Sequence, residues 1–139
     1  GEGIANCMVD ALEGVNVPVD YINSHGSSTP IGDMIEVEAI RKVFSTRQEQ
    51  GGALPPLSST KSISGHSLCA AGAHEVIYML AMMQKGFAAG TKNIEDMDEK
   101  ANGYPILTKN IDMDINCCIS NSIGFGGANA IIALRKVES

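Results

Sequence analysis

Ser67 to Lys85 reads SLCAAGAHEVIYMLAMMQK, and this stretch decides how the chain must be layered. Its residues favour a helix, yet the apolar ones, from Leu68 and Cys69 through Val76 and Ile77 to Met82 and Met83, are too many to share one stripe of a 3.6-residue period. A helix that is apolar on nearly all sides is normally enclosed by other layers. The small residues from Cys69 to Ala73 also allow a neighbouring backbone to come close. A domain of this size has trouble covering such a helix alone, so a second sheet, from another domain or chain, is expected to pack over it.

Outward from this helix, the pattern alternates between helix and strand. Residues 2–13 have Ile4, Met8, Ala11 and Leu12 at near-helical spacing and Gly14 as a stop. Val19 to Asn23 predicts a short strand that runs into a turn. Thr29-Pro30 has the form of an N-cap followed by proline at the first helical position, which predicts a helix to about Phe44. The polar stretch from Ser45 to Pro56 reads as a surface loop, and Leu57 to Thr60 as a brief strand. Segment 93–103 is polar, and Pro105 to Thr108 is extended. Asp114 to Ser120 and Asn129 to Arg135 predict two closing strands joined by a glycine loop. The fold class is α/β, and residues 1–139 read as a single domain.

Composition removes several function classes. The chain has 139 residues, 44% of them hydrophobic, and a formal net charge of −6. Its ten Lys and Arg are scattered, which argues against nucleic acid as a partner. The longest apolar stretch, Val76 to Met83, is far short of the roughly 18 residues that suggest a membrane span. Gly1-Glu2-Gly3 shows neither the basic start nor the apolar run of a signal peptide, and the chain reads as cytoplasmic. Cys7, Cys69, Cys117 and Cys118 lack C-x-x-C spacing and read as reduced, packed thiols; the adjacent pair should point to opposite faces of a strand.

The chemistry concentrates in three glycine- and serine-rich turns. His25 lies in Asn23-Ser24-His25-Gly26-Ser27-Ser28-Thr29, His66 in Lys61-Ser62-Ile63-Ser64-Gly65-His66-Ser67, and the third loop is Gly124-Phe125-Gly126-Gly127-Ala128-Asn129. Either histidine alone is more often a hydrogen-bonded loop residue than a catalyst. Two such turns, each after a strand and accompanied by a loop able to offer backbone N–H groups, form equipment for stabilising an oxyanion. No Ser or Cys stands where it is clearly the nucleophile such a pair would serve. A Ser-His hydrolase lacks its G-x-S-x-G elbow here, and Gly124 to Gly127 is not a nucleotide fingerprint. Glu36, four residues before Ile40 and seven before Val43, shares their stripe; it either points inward and needs a partner or snorkels to water at the stripe's edge.

At these same residues the chain resembles the C-terminal half of the β-ketoacyl-acyl-carrier-protein synthases, with the bacterial type I enzymes the nearest in pattern. The resemblance rests on Asn23 to Pro30, on Lys61 with Gly65-His66-Ser67-Leu68 and Ala70-Ala71-Gly72, and on Ser120-Asn121-Ser122 with Gly124-Phe125-Gly126-Gly127. It covers essentially the whole chain in order. It implies a thiolase-like fold, a mixed sheet with helices on both faces and one helix in the central layer of a two-half enzyme. It also implies that the nucleophilic cysteine lies in an N-terminal half outside this sequence.

The implied reaction is a decarboxylative Claisen condensation of an acyl thioester with malonyl-acyl-carrier-protein in fatty acid synthesis. By motif, the resemblance makes His25 and His66 donors to the malonyl thioester oxygen, and Lys61 the residue that holds the charge state of the network. Glu36 becomes an inward carboxylate that joins Lys61 and water. The Phe125 N–H would form part of a second oxyanion hole, with its ring as a gate, beside Gly126. Ser27 and Thr29 would bind the pantetheine arm. Asn23, Glu75, Ser120 and Asn121 match positions that surround a monovalent cation in some relatives, and a network without an ion is equally compatible. Ser27 stands where threonine is commoner, Cys69 where glycine is usual and Ala128 where threonine is usual, the last two expected in close-packed places. No cofactor beyond the carrier's phosphopantetheine is implied. The implied partners are acyl carrier protein, the enzyme's other half and a second copy in a homodimer. A non-catalytic chain-length factor and a polyketide ketosynthase domain are the alternatives; retention of His25, Lys61 and His66 speaks against the first.

Overall fold

In a computed structural model, residues 1–137 are described, so the last two positions of the 1–139 domain lie outside the described residues. A four-stranded sheet in the order β2-β1-β5-β6 organises the chain. The central strand β1 (Tyr21–Asn23) runs parallel to both β2 (Leu57–Ser58) and β5 (Cys117–Ile123), while β6 (Asn129–Arg135) returns antiparallel to β5. The sheet is mixed, with helices on both faces.

Each face has its own core. Helices α1 (Glu2–Ala11) and α2 (Gly32–Thr46) pack Ile4, Met8, Ile40 and Phe44 against Ile22, Cys117 and Ile119. On the other side α4 (Ala71–Lys85) packs Met79, Met82 and Met83 against Tyr21, Ile115 and Cys118. The adjacent cysteines thus divide between the two cores, as the pleat requires, and all four thiols are free. Burial pushes the Cys118 thiol up to about 12, which keeps it protonated and inert.

The long apolar helix shows why its pattern is all-round. One side of α4 is buried, but Ile77 and Leu80 on the other are 60% and 50% exposed. Leu68, in the 3₁₀ turn that precedes α4, and Phe125 are exposed as well. Among the described residues the outer apolar side of α4 has no covering layer. Cys69 and Ala128 are also exposed rather than close-packed, a correction that follows from the same open side.

Several boundaries differ from the sequence reading. Thr29 does not cap α2, which starts at Gly32; instead the Thr29 N–H donates to Asp33 Oδ1 at 3.3 Å. The strand expected over 57–60 ends at Ser58, because Thr60 becomes the N-cap of a one-turn helix, α3 (Lys61–Ser64). The strand expected from Asp114 begins at Cys117 instead. Asp20 Oδ2 accepts from the N–H groups of Asn116 and Cys117 at 2.8 and 3.0 Å and sets that start. A small antiparallel pair, β3 (Phe87–Ala88) with β4 (Ile111–Asp112), had no clear pattern in the sequence.

Candidate active site

The C-terminal ends of β1 and β2 deliver the first two histidine turns to one place. His25 follows β1 directly, and His66 follows α3 and Gly65, whose φ of +72° lets the chain reverse. The two imidazole rings lie 5.3 Å apart, centroid to centroid, and 81° from coplanar. Two rings from turns 41 residues apart therefore face one point.

Each ring is prepared differently. The Leu68 N–H donates to His66 Nδ1 at 3.0 Å, so the proton of a neutral His66 ring sits on Nε2, which can donate outward. Leu68 achieves this with a φ of +53°, a left-handed conformation that is costly for a bulky residue. His25 is held from behind: its backbone N–H and that of Gly26 donate to Glu36 Oε1 and Oε2 at 2.8 and 3.0 Å. Its Nδ1 is buried without a partner, which leaves Nε2 as the nitrogen free to meet a ligand. Burial, then the charge of Lys61, then His66 lower the His25 ring from 6.5 to about 4, so it is neutral at neutral pH.

Glu36 is 2% exposed and points inward, on the core side of its stripe. Besides the two backbone donors it accepts from Asn121 Nδ2 at 2.9 Å. Burial raises its carboxyl above the ordinary range, and the three donors oppose that shift. The expected link from Glu36 to Lys61 is corrected by the structure. Lys61 Nζ pairs with Glu75 on α4, while the Glu36 carboxylate is taken up by the His25 and Gly26 N–H groups and by Asn121. Sequence reasoning named Glu75 only as a cation ligand. The signal for more was present, since Glu75 is the one acidic residue in α4 and lies among mostly apolar neighbours.

The four candidate cation residues gather around this centre. Ser120 Oγ donates to Glu75 Oε2 at 3.4 Å, Asn121 serves Glu36, and Asn23 bonds Thr60 at 3.0 Å. As found they form a hydrogen-bond network. Asn121 Oδ1 is buried without a donor, which suits an oxygen ligand to a small monovalent cation. Among the described residues no group of three or more His, Cys, Asp or Glu could hold a metal ion.

Beside the histidines opens a cavity of about 680 Å³ lined in part by Gly26, Ser27, Thr29, Glu36, Lys61 and His66. The hydroxyls of Ser27 and Thr29 stand on the turn that carries His25. Phe125 and Gly126 belong to a 3₁₀ turn that does not line this cavity, and the Phe125 side chain is fully exposed. The structure therefore unites His25, His66, Lys61, Glu36 and the two hydroxyl residues. The glycine loop does not contribute to the lining of this cavity.

The family profile described as "Beta-ketoacyl synthase, C-terminal domain" matches residues 1–95. The chain belongs to the β-ketoacyl synthase family. It is 49% identical over 138 residues to 3-oxoacyl-[acyl-carrier-protein] synthase 1 of Escherichia coli, a match that covers 99% of this chain and 32% of that protein. The corresponding synthase of Haemophilus influenzae is 47% identical over 137 residues and covers 98% and 32% respectively. This β-ketoacyl synthase chain thus spans about a third of the length of the curated relatives it matches. Among solved structures, a β-ketoacyl synthase from Burkholderia phymatum superposes with a TM-score of 0.84 at 31% identity, over 99% of this chain and 33% of the other. A ketosynthase in complex with its type II polyketide acyl-carrier protein gives 0.85 at 30%, over 98% and 34%. The thiolase-like fold class and the mixed sheet agree with these neighbours. No helix is long and apolar enough to cross a membrane among the described residues.

Proposed function

We propose that this chain is the C-terminal part of a 3-oxoacyl-acyl-carrier-protein synthase that condenses an acyl thioester with malonyl-carrier-protein in fatty acid synthesis. The observation that carries the reading is the pair of imidazoles 5.3 Å apart, with His25 neutral at neutral pH and the Leu68 N–H occupying His66 Nδ1, which leaves Nε2 of each ring to meet a ligand. The acyl group would be held as a thioester on a cysteine in the enzyme's N-terminal half. When malonyl-carrier-protein loses carbon dioxide, the electron pair of the breaking C–C bond moves onto the thioester oxygen as an enolate. His25 and His66 would donate to that oxygen through Nε2. Donors fixed by Glu36 and by the Leu68 N–H need no reorganisation as the charge appears. The enolate carbon then attacks the acyl thioester and expels the cysteine thiolate.

Lys61 would keep the surroundings cationic, which favours neutral His25 over its charged form, and Glu75 holds the ammonium in place. Ser27 and Thr29 would hydrogen-bond the pantetheine arm in the cavity, so the carrier itself presents the substrate and no separate cofactor is called on. The Phe125 N–H would serve the acyl thioester oxygen and its ring would act as a gate, with Gly126 alongside. A monovalent cation held by Glu75, Ser120, Asn121 and Asn23 would offset the charge of two buried carboxylates against one lysine. The second half of the enzyme, and a second copy of it, would cover the open side of α4. The cytoplasm is the proposed location.

The test is decarboxylation of malonyl-carrier-protein by the full-length enzyme. His25→Ala or His66→Ala is expected to lower turnover at least a hundred-fold, corresponding to about 3 kcal/mol in the barrier. Parent-like turnover in either variant overturns the oxyanion assignment. Absence of decarboxylation in the parent enzyme would instead favour a chain-length factor, which keeps the fold without the chemistry.

A further inference from the structure

The outer edge of β2 is closed at Leu57 by backbone bonds, its N–H donating to the Pro105 carbonyl at 3.1 Å and its carbonyl accepting from the Leu107 N–H at 2.8 Å, and beyond Leu57 by side chains. Ser58 Oγ donates to the Ala89 carbonyl at 2.6 Å, and from there the segment 89–93 runs alongside the turn that leads into α3. The Ser59 N–H donates to Thr91 Oγ1 at 2.9 Å, and the Lys92 N–H donates to Ser62 Oγ at 2.9 Å. Thr91 is itself anchored, its N–H donating to the Leu107 carbonyl at 2.8 Å.

This edge reaches the histidines in two directions. Ser59 Oγ donates to the Gly26 carbonyl at 2.8 Å, so Gly26, the residue after His25, is held at its N–H by Glu36 and at its carbonyl by Ser59. A Cβ on Gly26 would sit 2.6 Å from Ser59 Cβ, which shows how closely the two turns touch. In the other direction Ser62 Oγ donates to the Ser59 carbonyl at 2.8 Å, at the start of the helix that carries Lys61 and leads to His66. Ser59 is therefore the point where the two histidine turns meet, and the Thr91 hydroxyl is what holds its N–H.

We propose that Thr91 is a positioning residue that, through the Ser59 N–H, fixes the separation of the His25 turn from the Lys61–His66 turn. The proposal rests on the condensing reading of the site. Thr91 does not touch the rings. Its loss would let the two turns shift against each other, and a displacement of an ångström at reacting groups is enough to cost one or two orders of magnitude in rate.

The experiment is malonyl-carrier-protein decarboxylation by the full-length enzyme with Thr91→Val, which keeps the shape and removes the acceptor, and Thr91→Ser, which restores it. Thr91→Val is expected to lower kcat about ten-fold with KM within about two-fold, and Thr91→Ser to return kcat to within about two-fold of the parent. Should Thr91→Val give no soluble enzyme, Thr91→Cys, a small residue with a weak acceptor, carries the same expectation. Parent-like kcat in Thr91→Val with only a lowered Tm makes the residue merely structural and overturns the proposal. So does a change confined to KM, or a Thr91→Ser variant that stays slow. His25→Ala in parallel separates the two levels: if it is inactive while Thr91→Val is normal, only Thr91 fails; if it is active, the condensing reading itself fails.

Discussion

The two histidine turns converge on one point but are held by opposite means. His25 is fixed from outside, by a carboxylate 11 residues further along the chain that is itself gripped by Asn121 from a distant strand. His66 is fixed from within, by the N–H of a residue two positions on, at the expense of a left-handed leucine. The buried carboxylates near them differ in the same way. Glu36 is satisfied by three neutral N–H donors, whereas Glu75 meets the ammonium of Lys61. Both turns contain left-handed backbone, but the His25 turn places it at Gly26 and the small Ser28, with φ of +34° and +63°, whereas the His66 turn places it at a bulky leucine.

The largest way to break this comparison is to disrupt the bonding of each carboxylate in turn. Lys61 and Glu75 side chains are 5% and 2% exposed, so Lys61→Met strands a buried charge and is expected to lower unfolding free energy by about 3–5 kcal/mol. Glu36→Gln keeps one carbonyl acceptor but sets an amide NH₂ against backbone donors, a loss of about 1–3 kcal/mol. Urea unfolding of both variants gives the order. A larger loss in Glu36→Gln would show that neutral donors, not the ion pair, dominate the centre.

How much of this was legible follows from the range of each contact. The helix stripe placed Glu36 inward because periodicity is local, and the pleat placed Cys117 and Cys118 on opposite faces for the same reason. The partners of Glu36 were hidden, since Asn121 is 85 residues away and only the pairing of β1 with β5 brings it near. The Lys61–Glu75 pair was missed because nothing in the spacing says on which face of the sheet a one-turn helix lays its lysine. Thr91 lay in an unremarkable polar stretch, and its partner is a backbone N–H, which leaves no mark in side-chain patterns. Motif resemblance supplied what periodicity could not, namely that the two histidine turns belong to one site.

A finer test compares the rings by pH. His25 is lowered from 6.5 to about 4, so between these values the unfolded chain binds the proton that the folded chain refuses. Its contribution therefore raises stability as pH climbs from about 4 to 6.5 and is lost as pH falls through that window. Glu36 acts with the opposite sign: raised above 4.5, it holds a proton in the folded state that the unfolded chain has released, so its contribution declines as pH climbs from 4.5. Because the two partly cancel in bulk unfolding, the measurement is the imidazole resonance of His25 by NMR. A midpoint near 4 is expected, moving upward in Lys61→Met, since the lysine charge is second only to burial among its causes. A midpoint near 6.5 would mean that the ring is not desolvated and that the outside brace of Glu36 does not bury it.

The smallest expected effect tests the self-braced turn. Leu68 is 77% exposed, so its side chain contributes little packing within this chain, yet its φ of +53° carries the strain of a left-handed bulky residue, about 1–2 kcal/mol. Leu68→Gly removes that strain and gives back about 0.5–1 kcal/mol through the greater freedom of glycine in the unfolded chain. The N–H that fixes His66 is unchanged by the substitution. The net expectation is a gain of about 0.5–1 kcal/mol in urea unfolding of this chain, with the His66 tautomer preserved by NMR. A loss of similar size would show that the leucine side chain, rather than the backbone, holds the His66 turn. The contrast between the two histidines would then be one of packing and not of strain.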